Sequence, residues 1–220
     1  MSSTILSEAA SLLRAHYGTP TPPVAPGEWL TLAKLVAGRG VAPQKLNTHW
    51  PELAESVLSS AQETQGCGAA ELKELLLKLG HAGRSAPVLK SLARWWVERV
   101  ERSDIPSRPL DALREELRQL PGVGHELADR ILLEVFELPA YPLDRASVRI
   151  ACRHGWLGLE SEYDEWQAFF VQGLADIPLA EFSAWCAAVG REYCGPKPKC
   201  ESCPLRSLLP PGGPYEFEGD

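Results

Sequence analysis

A chain of 220 residues, 45% of them hydrophobic, can bury one large core or two small ones. Its formal net charge of −7 excludes the overall basic balance of a protein that coats nucleic acid, so any such contact must be local. The N-terminus shows no basic-then-apolar signal and no apolar run approaches the roughly 20 residues of a membrane span. A cytoplasmic protein with no membrane contact is therefore expected, with its six cysteines as thiols or metal ligands rather than disulfides.

Helical periodicity runs through nearly every segment and strand-like alternation is scarce, which predicts an all-α fold. Helices are expected near 4–16, 28–38, 43–61, 68–79, 86–103, 109–119, 125–137, 145–155, 162–174 and 179–190. Ser2, Ser3 and Thr4 ahead of Glu8 read as the cap of the first. Pro20, Pro22, Pro23, Pro26 and Gly27 break it from the second, and Pro139 and Pro142 mark another break. Pro210, Pro211, Gly212, Gly213 and Pro214 fall in a tail, 207–220, expected to be disordered and not to pack.

Leu120-Pro121-Gly122-Val123-Gly124 is the most informative segment. Leu110, Leu113, Leu117 and Leu120 recur at helical spacing before it, and Leu127, Ile131, Leu132, Val135 and Phe136 after it, so it reads as a tight hairpin between two helices. Pro109 suits the first position of the leading helix. The two glycines permit backbone conformations that other residues resist. The amides and positive end of the second helix then offer a site for one anion, for which a DNA phosphate is the natural candidate. Twenty residues beyond Gly124, Pro142-Leu143-Asp144-Arg145-Ala146-Ser147-Val148-Arg149 delivers a carboxylate at a helix start, where Asp144 also suits an N-cap. Arg145, Arg149 and Arg153 recur on one helical face, which suggests a local basic row and modest, steeply salt-dependent DNA affinity.

Hairpin, following helix, Gly/Pro-rich stretch and aspartate together resemble the helix-hairpin-helix DNA glycosylases of the endonuclease III superfamily. The likeness is strong over 110–158, extends to a cysteine motif at 194–203 and is weak before Leu79. It implies two helical lobes flanking a DNA-binding cleft. One is a bundle over 22–138 that contains the helix-hairpin-helix at 109–136; the other joins 1–21 to 139–206 with the cysteine loop. It also implies DNA base-excision repair on double-stranded DNA holding a damaged base, by a nucleoid-associated monomer.

Within that resemblance Asp144 faces the flipped nucleotide, stabilising an oxocarbenium-like sugar or orienting the attacking water. Bifunctional members carry lysine at the second position after the hairpin, where its amine forms an imine with the sugar. Here that position is Glu126, following His125. A carboxylate cannot form the imine, so a monofunctional enzyme without lyase activity is implied, with Glu126 donating a proton to the departing base or holding the water. Lys34, Lys45, Lys73, Lys78 and Lys90 lie at no motif position.

The run Glu126-Leu127-Ala128-Asp129-Arg130-Ile131-Leu132, with Asp144-Arg145 and Tyr163-Asp164-Glu165-Trp166, is similar to the alkylpurine (3-methyladenine) branch. A cationic alkylated purine leaves easily and is bound by stacking and cation–π attraction to electron-rich rings. Most of the seven tryptophans belong to the core; Trp29, beside the Pro/Gly break, is the candidate for the base pocket. The amides of Gly122, Val123 and Gly124 would hold a phosphate, with His125 beside them. His81, in Leu79-Gly80-His81, takes the wedge position. Either Arg39 or Gln62 fills the void left by the flipped base; Arg39 is preferred because Gln62 leaves only 19 positions to His81.

Cys194, Cys200 and Cys203 resemble the family's iron–sulfur loop, which has four cysteines spaced C-x6-C-x2-C-x5-C. The first gap here is five residues and the fourth position is Leu209. Three readings stand: a cluster with a substitute ligand such as Cys186, a zinc ion with a fourth ligand from elsewhere, or a loop that packs without metal. In each, Lys197 and Lys199 present charge suited to phosphates. Two further readings compete: an endonuclease III-like glycosylase for oxidised pyrimidines, and a catalytically weak damage-binding protein.

Overall fold

A computed structural model describes residues 2–20, 28–80, 82–100 and 108–217. Helices account for its regular structure, and no strand occurs among the described residues. In chain order they are α1 (Ser2–Tyr17), α2 (Trp29–Ala37), α3 (Pro43–Ala54), α4 (Ala61–Gly66), α5 (Ala69–Leu76), α6 (Ala82–Trp95), α7 (Leu110–Arg118), α8 (His125–Glu134), α9 (Arg145–Arg153), α10 (Tyr163–Gly173) and α11 (Leu179–Glu192). The chain divides into two compact units, one of Pro23–Leu138 and one of Met1–Pro22 with Pro139–Asp220.

In the unit of Pro23–Leu138, α6 is the central element, packed by α2, α4 and α5, while α7 and α8 pair with each other. Leu32, Leu53, Leu58, Leu72, Leu89, Leu113, Leu117, Leu127 and Ile131 are fully buried. The helix expected over 43–61 is broken, because serine side chains satisfy the backbone locally. Ser56 Oγ donates to the Leu53 carbonyl at 2.5 Å, and Ser60 Oγ accepts from the Glu63 amide at 3.1 Å, restarting the chain as α4. Pro109 is the residue before α7 rather than its first turn, with extended ψ of 132°. A buried ion pair ties α7 to α8: Arg114 Nε donates to Asp129 Oδ1 at 2.7 Å, and Asp129 is wholly enclosed.

In the unit of Met1–Pro22 with Pro139–Asp220, α1 lies on α10 and α9 lies on α11. Leu6, Leu13, Tyr141, Ile150, Phe170, Phe182 and Trp185 form its core. Gly190 of α11 sets how closely α9 approaches: a Cβ there would stand 2.5 Å from the Ala146 methyl. The segment after 206 is not loose as far as 217. Leu208 and Phe217 pack on the core, and the Tyr215 amide donates to the Arg153 carbonyl at 2.9 Å. Residues 218–220 lie outside the described residues.

Burial pushes the Asp129 carboxyl up to about 6, even with Arg114 beside it. Native chains then bind a proton that unfolded chains, with an ordinary aspartate near 3.9, do not, so stability falls as pH rises from about 4 to about 6. Asp129→Asn removes that contribution. Urea midpoints measured across this range should diverge between wild type and Asp129→Asn by on the order of 1–2 kcal/mol, and run parallel above the window.

Candidate functional site

The hairpin is a β-turn closed by the Val123 amide donating to the Leu120 carbonyl at 3.0 Å. Pro121 supplies its first central position and Gly122, with φ +82°, its second, as a type II turn requires. Gly122 is demanded a second time by packing, since a Cβ would stand 2.6 Å from Val88 Cγ2. Two sequence expectations change here. The Val123 side chain is buried and its amide closes the turn, so that amide is not offered to a phosphate. Gly124 has ordinary extended backbone, φ −92° and ψ −177°, and open space around its α-carbon. As N-cap of α8 it contributes no side-chain acceptor to the first turn. His125, the first residue of α8, is half-buried.

Glu126, in that first turn, is an ion-paired carboxylate. Arg130 Nε donates to its Oε1 at 2.6 Å, and Arg39 to its Oε2 at 3.2 Å. Arg130 also reaches Glu134 at 2.9 Å. The Arg130 contact was legible as an i,i+4 pair, whereas the Arg39 contact joins residues 87 apart and has no local signal. Gln62 is exposed in the first turn of α4. Trp29 is a core residue: it is 7% exposed, its indole N–H donates to the Leu58 carbonyl at 2.9 Å, and it meets Trp96 edge-on at 5.8 Å. This packing leaves little of its ring for a base. His81 lies outside the described residues.

Asp144 belongs to the other unit. Its Oδ1 accepts from the Ser147 amide at 2.8 Å, so it caps α9 and is fixed in direction by it. The loop before it is clamped by Gln167 of α10. Gln167 Oε1 accepts from the Tyr141 amide at 3.1 Å, and its Nε2 donates to the Tyr141 carbonyl at 2.6 Å. The Tyr141 ring stacks on Phe170 at 4.1 Å, and its hydroxyl shares a hydrogen bond with Ser147 Oγ at 3.0 Å. Burial pushes the Tyr141 hydroxyl well up, and pushes the Cys186 thiol beside it to about 12, the Asp144 charge adding to both. Sequence reasoning missed Gln167; its signal was an amide on an otherwise core-facing stripe.

The basic row of α9 is only partly a surface. Arg145 is exposed, but Arg149 and Arg153 are 7% and 5% exposed and hold the cysteine loop. Arg153 donates to the Gly195 carbonyl at 2.7 Å, to the Pro196 carbonyl at 3.3 Å and to Cys194 Sγ at 3.3 Å. Arg149 donates to the Cys194 carbonyl at 2.8 Å and lies over the Phe217 ring. Lys197 and Lys199 project outward. Cys194, Cys200 and Cys203 line one cavity of about 10 Å³, near the least that admits a water, and Leu209 lines it where a fourth ligand would stand. Cys186 is instead packed against Tyr141 and Ser147, and burial pushes the Cys194 and Cys203 thiols up. Among the described residues no group of three His, Cys, Asp or Glu is disposed to hold a metal ion. The residues present do not fit a four-thiolate iron–sulfur cluster.

No family profile matches the chain. A provisionally named DNA repair glycosylase of Methanocaldococcus jannaschii is 29% identical over 143 residues, 63% of this chain and 65% of its own length. Endonuclease III of Thermotoga maritima is 28% identical over 152 residues, 69% of this chain and 68% of that one. A thymine/uracil-DNA glycosylase of Pyrobaculum aerophilum is 32% identical over 146 residues, 61% and 59% of the two chains. The matched stretch thus spans less than two thirds of the first and third of these relatives. Among solved structures, an endonuclease III–DNA complex superposes with a TM-score of 0.73 at 19% identity, covering 96% of both chains. A thermostable thymine-DNA glycosylase gives 0.72 at 18% identity, covering 93% and 95%. The chain has the endonuclease III fold. The relatives it matches are named as a DNA repair glycosylase, endonuclease III and a thymine/uracil-DNA glycosylase. A 3-methyladenine DNA glycosylase of H. pylori bound to 1,N6-ethenoadenine also superposes, with a TM-score of 0.67 at 18% identity over 87% of this chain and 97% of that one.

Arg153→Ala should destabilise the chain by about 1–3 kcal/mol, because the buried Cys194 sulfur and the part-buried carbonyls of Gly195 and Pro196 lose their donor. Arg145→Ala, at the exposed end of the same helix, should stay within about 0.5 kcal/mol of wild type. Equilibrium denaturation of the two variants checks both figures.

Proposed function

We propose that this chain is a monofunctional DNA glycosylase that removes N-alkylated purines from double-stranded DNA as a monomer. The observation that carries the reading is Glu126: an ion-paired carboxylate stands at the second position after the hairpin, where imine chemistry would need an amine. In the proposed reaction the bond from sugar C1′ to the base nitrogen breaks, and its electron pair leaves with the base. A cationic alkylpurine departs neutral and needs no proton. Water oxygen bonds to C1′, and its proton passes to Asp144 or to solvent. The Asp144 carboxylate, aimed by the α9 cap and the Gln167 clamp, stabilises positive charge on the sugar as the base leaves.

Binding is assigned to the hairpin amides of Gly122 and Gly124 with the first turn of α8, and to Lys197 and Lys199. His125 flanks the phosphate. Arg39 exchanges Glu126 for the distorted duplex, and the wedge role expected of His81 is kept from the sequence. The similar fold of a 3-methyladenine DNA glycosylase supports the alkylpurine reading. The endonuclease III and thymine/uracil-DNA glycosylase relatives favour a second one, excision of a damaged or mispaired pyrimidine.

The test is base release from methylated duplex DNA. Wild type should release methylated purines, with strand breaks appearing only after hot alkali. Asp144→Asn should lower the single-turnover rate about a hundredfold or more. Gln167→Ala should lower it about tenfold through misplacement of Asp144, with binding to an abasic-site duplex unchanged. Breaks without alkali would overturn the monofunctional reading. Release only from duplexes holding oxidised or mispaired pyrimidines would install the second reading, and binding without any release would make the chain a damage-binding protein.

A further inference from the structure

The charge of this chain is unevenly laid out. Between Arg153 and Arg191 stand Glu160, Glu162, Asp164, Glu165, Asp176 and Glu181, and no lysine or arginine, so nearly all of the net −7 lies in this stretch. Glu181 is paired with Arg14 at 3.1 Å, and the carboxylates without a basic neighbour in sequence disfavour phosphates, whether of a duplex or of an anionic lipid surface.

The same stretch opens a groove of about 610 Å³, walled on one side by residues 155–160 and on the other by Tyr215 and Glu216. Leu159 and Tyr215 are 50% and 58% exposed, two of the three large apolar side chains exposed among the described residues, and both stand on this groove. Trp156 and Leu157, packed on the core beneath, add apolar surface. The far wall is anchored. The Tyr215 amide donates to the Arg153 carbonyl at 2.9 Å, and the Tyr215 ring lies so close to Gly155, φ +66°, that a Cβ there would stand 2.6 Å from it. A held-open apolar groove rimmed by carboxylates is what a single-sign interaction surface needs: the apolar part supplies affinity, and the charge selects the partner.

We propose that this groove docks a segment of a partner protein that carries a large aliphatic or aromatic side chain flanked by lysines or arginines. The apolar side chain seats between Leu159 and Tyr215. The flanking cations meet Glu160 and Glu216, with Glu162 and Asp164 further along the same stretch. The assignment is independent of the activity proposed above, since no residue of the groove belongs to the hairpin, the Asp144 loop or the cysteine loop.

The test uses the intact chain and a short dye-labelled peptide of alternating lysines and leucines, read by fluorescence anisotropy. The peptide should bind in the micromolar range and weaken as salt is raised. Leu159→Ser should weaken it about tenfold. Glu160→Gln combined with Glu216→Gln should weaken it and flatten the salt dependence. Base release and duplex affinity should be unchanged in Leu159→Ser. In a methyl-labelled sample the peptide should shift the resonances of Leu157 and Leu159. Equal binding of a lysine–serine peptide would reduce the effect to charge alone and overturn the proposal. So would undiminished binding to Leu159→Ser, methyl shifts confined to other leucines, no binding at all, or loss of duplex affinity in Leu159→Ser, which would assign the face to DNA.

Discussion

The backbone amides at the start of a helix must find acceptors, and two helices of this chain differ in what they offer them. At α9 the demand is met from within, by Asp144 Oδ1 on the Ser147 amide at 2.8 Å. At α8 the N-cap is Gly124, which has no side chain to offer. Much of the surrounding structure keeps these two ends as they are. Gly190 lets α9 settle against α11, Gln167 fixes the backbone of Tyr141 ahead of the cap, and Phe170 holds the Tyr141 ring. On the other side, the type II turn through Pro121 and Gly122 sets the direction of α8, and Val88 leaves no room for any other residue at Gly122. Capping and chemistry are compatible at Asp144: a carboxylate held by a helix amide keeps one direction, which a charge stabilising a sugar cation also requires.

The arginines follow a similar division of labour. Arg114 is held by the buried Asp129 between α7 and α8, so the hairpin helices are joined by an ion pair as well as by leucines. Arg149 and Arg153 turn inward and donate to the carbonyls of the cysteine loop. A loop of Gly195, Pro196 and Pro198 has little regular hydrogen bonding of its own, and two guanidinium groups can order it without a metal. The thiols of Cys194 and Cys203 are then enclosed side chains whose burial favours the protonated form.

What the sequence made legible was local. Periodicity gave the all-helical fold, and the Pro-Gly pair gave the hairpin. The position of Asp144 ahead of an apolar run gave its cap, because each signal lies within a few residues of the structure it specifies. What stayed hidden was long-range. The Gln167 clamp on Tyr141 spans 26 residues, and the Arg39–Glu126 pair spans 87. Spacing alone also misled at the arginine row, where residues sharing a helical face do not share an environment: Arg145 meets solvent while Arg153 is enclosed. Trp29 was misjudged for a related reason. A nearby Pro/Gly break says that the chain turns, and says nothing of the side chain, which packs on Trp96. The helix expected over 43–61 failed on chemistry rather than distance, since three serines in 56–60 compete for the backbone.

The acidic balance, which argued most strongly against nucleic-acid contact, has a structural resolution. Charge acts on a phosphate over roughly a Debye length, about 8–10 Å in physiological salt, so the sum over a chain matters less than the sign of each face. Between Arg153 and Arg191 six carboxylates stand with no lysine or arginine among them, and the apolar groove lies at the start of this stretch. At the hairpin, by contrast, the acidic side chain in the first turn of α8 is Glu126, and Arg39 and Arg130 both pair with it. The partial positive charge of the α8 terminus is therefore not opposed by a bare carboxylate in its own first turn. In the proposed reaction Arg39 leaves Glu126 for the duplex while Arg130 keeps it paired, and Asp144, on its own helix cap, is the carboxylate on which the proposed chemistry rests.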